Sequence, residues 1–121
     1  MSESTVPGRE QIVLASEDIA GRRRDLLEPG VNYVTLWREH KSLAGLMELD
    51  PGAELPEHTH RASIHHVWVV AGSARVDGRR LTAGSYVHVP AGVPHGLEAL
   101  EEGCTLFYLY LRSDSGGGSS S

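Results

Sequence analysis

Residues 58–73 read HTHRASIHHVWVVAGS. Side chains of an extended chain alternate between two faces, so His65, Val67 and Val69 share one face and His66, Trp68 and Val70 the other. The run is rich in β-branched and aromatic side chains and has no helical period, which predicts a strand over His65–Val70. If Val67 and Val69 turn to an interior, His65 turns inward with them and His66 outward. His58 and His60 stand two apart and likewise share one face of a strand over Glu57–His60.

Outward from this stretch, the same short apolar or alternating pattern recurs at Val31–Glu39, Leu43–Leu49, Ser73–Val76, Ser85–Val89 and Thr105–Arg112, with a smaller run near Arg79–Leu81. Turn chemistry separates the runs: Asp50-Pro51-Gly52, Asp77-Gly78, Ala83-Gly84 and Pro90-Ala91-Gly92, with Asp77-Gly78 suited to a tight hairpin. Many short strands must close on one another to bury a face, which predicts an all-β sandwich or barrel over residues 31–114. Ser16 followed by Glu17 and Asp18 marks the start of a short helix. Residues 1–30 are read as an extension packing on the barrel, and residues 115–121 as a flexible Gly/Ser tail.

Composition narrows the function classes. The chain has 121 residues, 40% hydrophobic and 22% charged, which fits one globular domain. Sixteen acidic residues exceed eleven basic ones for a net charge of -5, so no general footprint for nucleic acid exists. The local exception, Arg22 to Arg24, is read as a solvated face. No apolar run approaches the length of a membrane span. Cys104 is the single cysteine, and the first residues, MSESTVPGRE, lack the layout of a secretory signal. A cytoplasmic location is expected.

Histidine is the unusual component: six of the seven lie between His58 and His95. His95 follows Pro90-Ala91-Gly92-Val93-Pro94, a segment rigid enough to aim the next side chain. His58, His60, His65 and His95 would then meet from three segments. Burying several unpartnered imidazoles is unfavourable, and a shared cation resolves the cost. Solvated loop histidines, or core histidines with ordinary partners, are the competing reading. Tyr86 and His88 share a face of their strand and are candidates to reach the same cavity behind the ligands, although parity leaves the inward face of that strand open. His66 is expected on the outer face, and His40 in a solvated turn. Trp37, Trp68 and Phe107 are read as core or interface aromatics, and Cys104 as a buried, inert thiol.

The pattern G-x5-H-x-H-x4-H-x6-G from Gly52 to Gly72 closely resembles the first motif of the cupin superfamily, whose glutamate slot is held here by His65. Gly84, Pro90, Gly92 and His95, spaced G-x5-P-x-G-x2-H, resemble the second motif, whose asparagine slot falls at Ala99. Within the superfamily, the two stretches look most like small single-domain cupins related to the zinc-binding domain of certain anti-sigma factors and to 2,4'-dihydroxyacetophenone dioxygenase. The resemblance implies a jelly-roll barrel, a double-stranded β-helix, with the metal inside and His58, His60, His65 and His95 as ligands. It also implies a homodimer.

Four neutral imidazoles leave the ion's full positive charge in place and suit Fe(II), the first expectation, or Mn, Ni, Cu or Zn rather than Mg or Ca. With two positions left open, such a site suits a substrate beside O2. The expected function is therefore a non-haem metal dioxygenase that cleaves a carbon–carbon bond next to a carbonyl in a small hydroxyketone or diketone. A non-catalytic zinc-binding sensor or interaction module is the first alternative. A sugar-processing or isomerase cupin is the second, and it needs a base that the sequence does not clearly supply.

Overall fold

A computed structural model describes residues 11–58 and 63–112. The elements are α1 (Ser16–Ala20), β1 (Asp25–Glu28), β2 (Val31–Glu39), β3 (Ser42–Leu49), β4 (Glu54–His58), β5 (Ser63–Val76), β6 (Arg79–Thr82), β7 (Tyr86–Val89) and β8 (His95–Arg112). The structure is an antiparallel jelly-roll, with strand order β1-β2-β3-β8-β5-β6, β4 joined to β8 and β7 to β5. Among the described residues no helix is long and apolar enough to cross a membrane.

Two long strands carry the architecture. The first half of β5 pairs with β7 through His65–Trp68, and its second half pairs with β6 through Ser73–Val76. β8 does the converse, pairing with β4 through His95–Glu98 and with β3 through Cys104–Tyr110. Each long strand therefore belongs to both layers of the sandwich. The change of partner falls at Gly72 and Gly103, which have φ of 78° and 76°. A Cβ on Gly72 would collide with the Gly103 carbonyl oxygen, so the two backbones cross at a distance that only glycine permits.

The core lies between the layers. Val31 and Leu49 from one side meet Val69, Ala74, Ala99, Cys104 and Leu106, with Met47, Leu55, Val67 and Leu97 packed around them. Ala99 is fully buried; its carbonyl accepts from Gly52 N–H at 3.1 Å and its own N–H donates to Ala53 at 2.8 Å. These bonds tie β8 to the turn that precedes β4.

Several elements differ from expectation. The two runs read as His65–Val70 and Ser73–Val76 are one strand, because Gly72 makes a bulge rather than a break. β8 begins at His95, well before the expected Thr105. β4 begins at Glu54 rather than at the expected Glu57 and is described to His58; His60, the expected end, lies outside the described residues. β1 was not anticipated; its two central leucines are both exposed, so it carries no alternation. The expected tail at residues 115–121 lies outside the described residues.

Arg22 to Arg24 do not form a merely solvated face. The Arg24 guanidinium forks onto both carboxylate oxygens of Glu48, at 3.1 and 3.0 Å, and donates to the carbonyl of Ile19 at 2.8 Å. Arg22 donates to the Thr35 carbonyl at 2.6 Å. These contacts hold the segment around α1 across the outside of β2 and β3, where Val34 is completely buried.

Candidate metal centre

On β5 the alternation runs as the parity predicts. His65 is 4% exposed and Val69 is buried, whereas Trp68 and Val70 are exposed. The inner face continues sideways through register: His65 faces Tyr110 of β8 and Val89 of β7, and Val67 faces Tyr108 and Val87. These residues line a cavity of about 90 Å³, to which Met47, Leu55, Leu97 and Leu106 add aliphatic wall.

His95 reaches the same cavity from the other layer. The turn before it is closed by Val93 N–H donating to the Pro90 carbonyl at 3.2 Å, with Gly92 at φ 82°. His95 then opens β8 opposite His58 of β4, which places these two backbones side by side at the cavity. The Nδ1 atom of His95 lies 3.4 Å from the Val93 carbonyl. A proton on Nδ1 points there and leaves Nε2 with the lone pair, the tautomer a ligating imidazole requires.

The His65 and His95 rings are edge to face, with centroids 4.9 Å apart and planes at 68°. Two imidazoles that share one ion at about 2.1 Å have ring centres roughly 5 Å apart, so this pair suits a transition metal in chemistry and in spacing. Tyr110 stacks on His65, with centroids 4.0 Å apart at 27°. Of the four expected ligands, His65 and His95 are brought together. His58 is placed by its backbone, and His60 lies outside the described residues.

Tyr86 and His88 do not belong to this cavity. They alternate with Val87 and Val89, which take the inward positions, and so lie on the outer face, where Tyr86 Oη and His66 Nδ1 are 2.7 Å apart. The His66 and His88 rings pack there at a tilt of 31°, with centroids 5.1 Å apart. His40 sits in an exposed turn with φ 55°. Cys104 is buried in the core, and burial pushes its thiol up to about 11.

Tyr108 and Tyr110 were not anticipated as site residues. The signal was available: Leu106, Tyr108 and Tyr110 alternate on β8 as His65 and Val67 do on β5. Burial raises the pKa of both phenols, so each stays protonated, an O–H donor in an otherwise aliphatic wall.

Comparison with known proteins adds the following. Residues 45–110 match the cupin domain family. KdgF from Halomonas sp. is similar in structure, with a TM-score of 0.73 at 24% identity over 87% of this chain and 97% of that one. An RmlC-like cupin from Shewanella frigidimarina gives 0.70 at 27% identity, covering 88% and 94%. A chain of the Rhodobacter sphaeroides complex of SigE with the anti-sigma ChrR gives 0.66 at 23% identity, covering 74% of this chain and 49% of that one. No curated protein matches the sequence.

Proposed function

The chain belongs to the cupin domain family, and from that premise we propose that it is a metal-dependent oxygenase acting on a small, weakly polar hydroxyketone or diketone. One observation carries this reading: a pair of imidazoles at metal-sharing distance in a cavity whose remaining wall, among the described residues, is aliphatic except for two phenols. His65 and His95, with His58 and His60, would hold a divalent transition metal, Fe(II) first. Such an ion, when bound, supplies Lewis-acid and redox chemistry.

The chain's own residues set what can react. A cavity of about 90 Å³ is far below the roughly 300–1,000 Å³ of a site for a drug-sized ligand, which favours a substrate of few atoms. A sugar would turn several hydroxyls toward Val67, Val87, Val89 and Leu97 without partners, at a cost for each; this weighs against a sugar-processing role. The aliphatic wall offers water no hydrogen bond, while Tyr108 and Tyr110 carry O–H groups that can donate to a carbonyl or hydroxyl oxygen. Tyr110 also keeps the His65 ring in its plane.

The proposed reaction balances with O2 as the oxidant. In R–CO–CH2OH the bond between the two oxygenated carbons breaks, each carbon gains one oxygen atom of O2, and a carboxylic acid and formic acid form. The test is metal content per chain on protein purified without a chelating column, together with O2 uptake on hydroxyacetone and acetylacetone. About one iron, manganese, nickel or copper per chain with acid formed in proportion to O2 consumed is the expected result. Chain without metal, or zinc-loaded chain inert even after iron reconstitution, would overturn the reading; the second outcome would favour a zinc-binding interaction module.

A further inference from the structure

The outer face of the barrel carries a second pair of imidazoles. His66 of β5 and His88 of β7 are cross-strand partners, and both alternate with residues that face the cavity. Their rings pack at 31° with centroids 5.1 Å apart. That spacing is close to the 4.9 Å between His65 and His95, and to the roughly 5 Å between two imidazoles that share one ion at about 2.1 Å. His88 is exposed and His66 half-buried, so an ion in solution has access to the pair.

One of the two rings has the support that ligation needs. An imidazole that binds an ion through Nε2 keeps its proton on Nδ1, and a neighbouring acceptor fixes that tautomer. Tyr86 Oη lies 2.7 Å from Nδ1 of His66 and is placed to accept that hydrogen bond, leaving the lone pair on Nε2. The ring is also held between aromatic neighbours: Tyr86 at 6.0 Å and Trp68 at 6.2 Å, each 21° from parallel. Trp68 in turn packs on Tyr86 at 5.0 Å and on Phe107 at 5.6 Å. A ring ordered in advance loses little freedom when it binds.

We propose that His66 and His88 form a second, open metal site on the outer face of the barrel, which takes a divalent transition ion, Cu(II) foremost. The donor set is nitrogen, which suits Cu, Ni and Zn and disfavours Mg and Ca. Cu(II) stands highest of these in affinity for such a set. The pair's neighbours in the register, Trp68, Tyr86 and Leu109, bring no cation to repel the ion and no carboxylate to recruit a harder one. A net charge of -5 draws cations to the chain. Two protein ligands leave the other positions to water, so the ion is held less firmly than in the barrel and exchanges with solution. His65 and His66 are consecutive, so one strand supplies a ligand to each face of the sheet.

The experiment is a Cu(II) titration of the full chain, first loaded with Zn(II) and freed of excess, with both metals counted per chain. Copper is expected to add to the barrel zinc at one ion per chain. It should quench the fluorescence of Trp68 and give a paramagnetic resonance spectrum with two coupled nitrogens. His66→Ala and His88→Ala should each abolish this added copper while zinc content and far-ultraviolet dichroism stay as they are. Trp68→Phe should remove the quenching and keep the uptake. Tyr86→Phe should keep the two-nitrogen spectrum and weaken copper binding by about tenfold, the loss expected when a group that orients a ligand is removed. Copper that only displaces zinc, uptake that survives both histidine substitutions, or uptake that leaves Trp68 unquenched would overturn the proposal. The inference does not rest on the oxygenase reading: His95→Ala should lose the barrel metal and still take copper on the outer face.

Discussion

The phenol ring of Tyr110 stacks on the imidazole of His65, with ring centroids 4.0 Å apart and planes 27° from parallel. The two residues are cross-strand partners on β8 and β5, so the contact follows from register and fixes the orientation of a buried imidazole.

Tyr110→Phe keeps the stacking and should hold metal within about threefold of the natural chain. Tyr110→Ala removes the ring and should weaken metal affinity by roughly tenfold or more, the range seen when groups that orient ligands are lost. Competition with a chelator measures both. Equal affinity in the two variants would show that the stack does not orient His65.

Gly72→Ala should destabilise the fold by about 3 kcal/mol or more. Its φ is 78°, which costs a side-chain residue about 1–2 kcal/mol, and the added carbon would strike the Gly103 carbonyl. Gly78→Ala is the control, with the same φ of 78° and nothing within 4 Å, and should cost only about 1 kcal/mol. The urea midpoints of the two variants should differ clearly.

Burial lifts the Cys104 thiol from 9.0 to about 11. A raised folded-state value means that the neutral thiol contributes stability fully below pH 9, and that this contribution is lost as pH rises through about 11. The natural chain should therefore lose stability across that window relative to Cys104→Ala. At pH 8 the folded chain should resist iodoacetamide, while the urea-unfolded chain reacts readily.

The fork from Arg24 to Glu48 is half-buried, with side chains 28% and 35% exposed. A double-mutant cycle with Arg24→Ala and Glu48→Ala should give a coupling of about 1 kcal/mol, near the top of the range for partly solvated pairs. Arg24 also donates to the carbonyls of Ile19 and Arg22, so Arg24→Ala alone should speed protease cleavage around α1. Unchanged cleavage would place the hold on that segment elsewhere.

Much of the fold was legible because alternation and turn residues act locally. β2 has the bounds its sequence pattern predicts, Val31–Glu39, and the parity of Val67 and Val69 turned His65 inward and His66 outward. What escaped depended on distant partners. Gly72 and Gly103 read as breaks, yet each is a bulge tolerated because the other strand also carries glycine at the crossing. Tyr86 and His88 sit on an alternating strand with valine between them, and only pairing with β5 decides which set faces in. Tyr108 and Tyr110 had the right period but no local mark of a site; their role comes from lying across from Val67 and His65. β1, with Leu26 and Leu27 both exposed, owes its existence to its pairing with β2.

The aliphatic wall around His65 and His95 also bears on what leaves the cavity. An acid formed beside Val67, Val87 and Val89 is ionised at neutral pH, and an ionised carboxylate is poorly accommodated by that wall but well matched to the cation that His65 and His95 would hold. Any conversion of a neutral molecule into acids there leaves the products with one favourable partner, the ion, and an unfavourable wall around it. Release of product from such a pocket would therefore turn on how firmly the ion holds a carboxylate, because no residue of the wall would hold it.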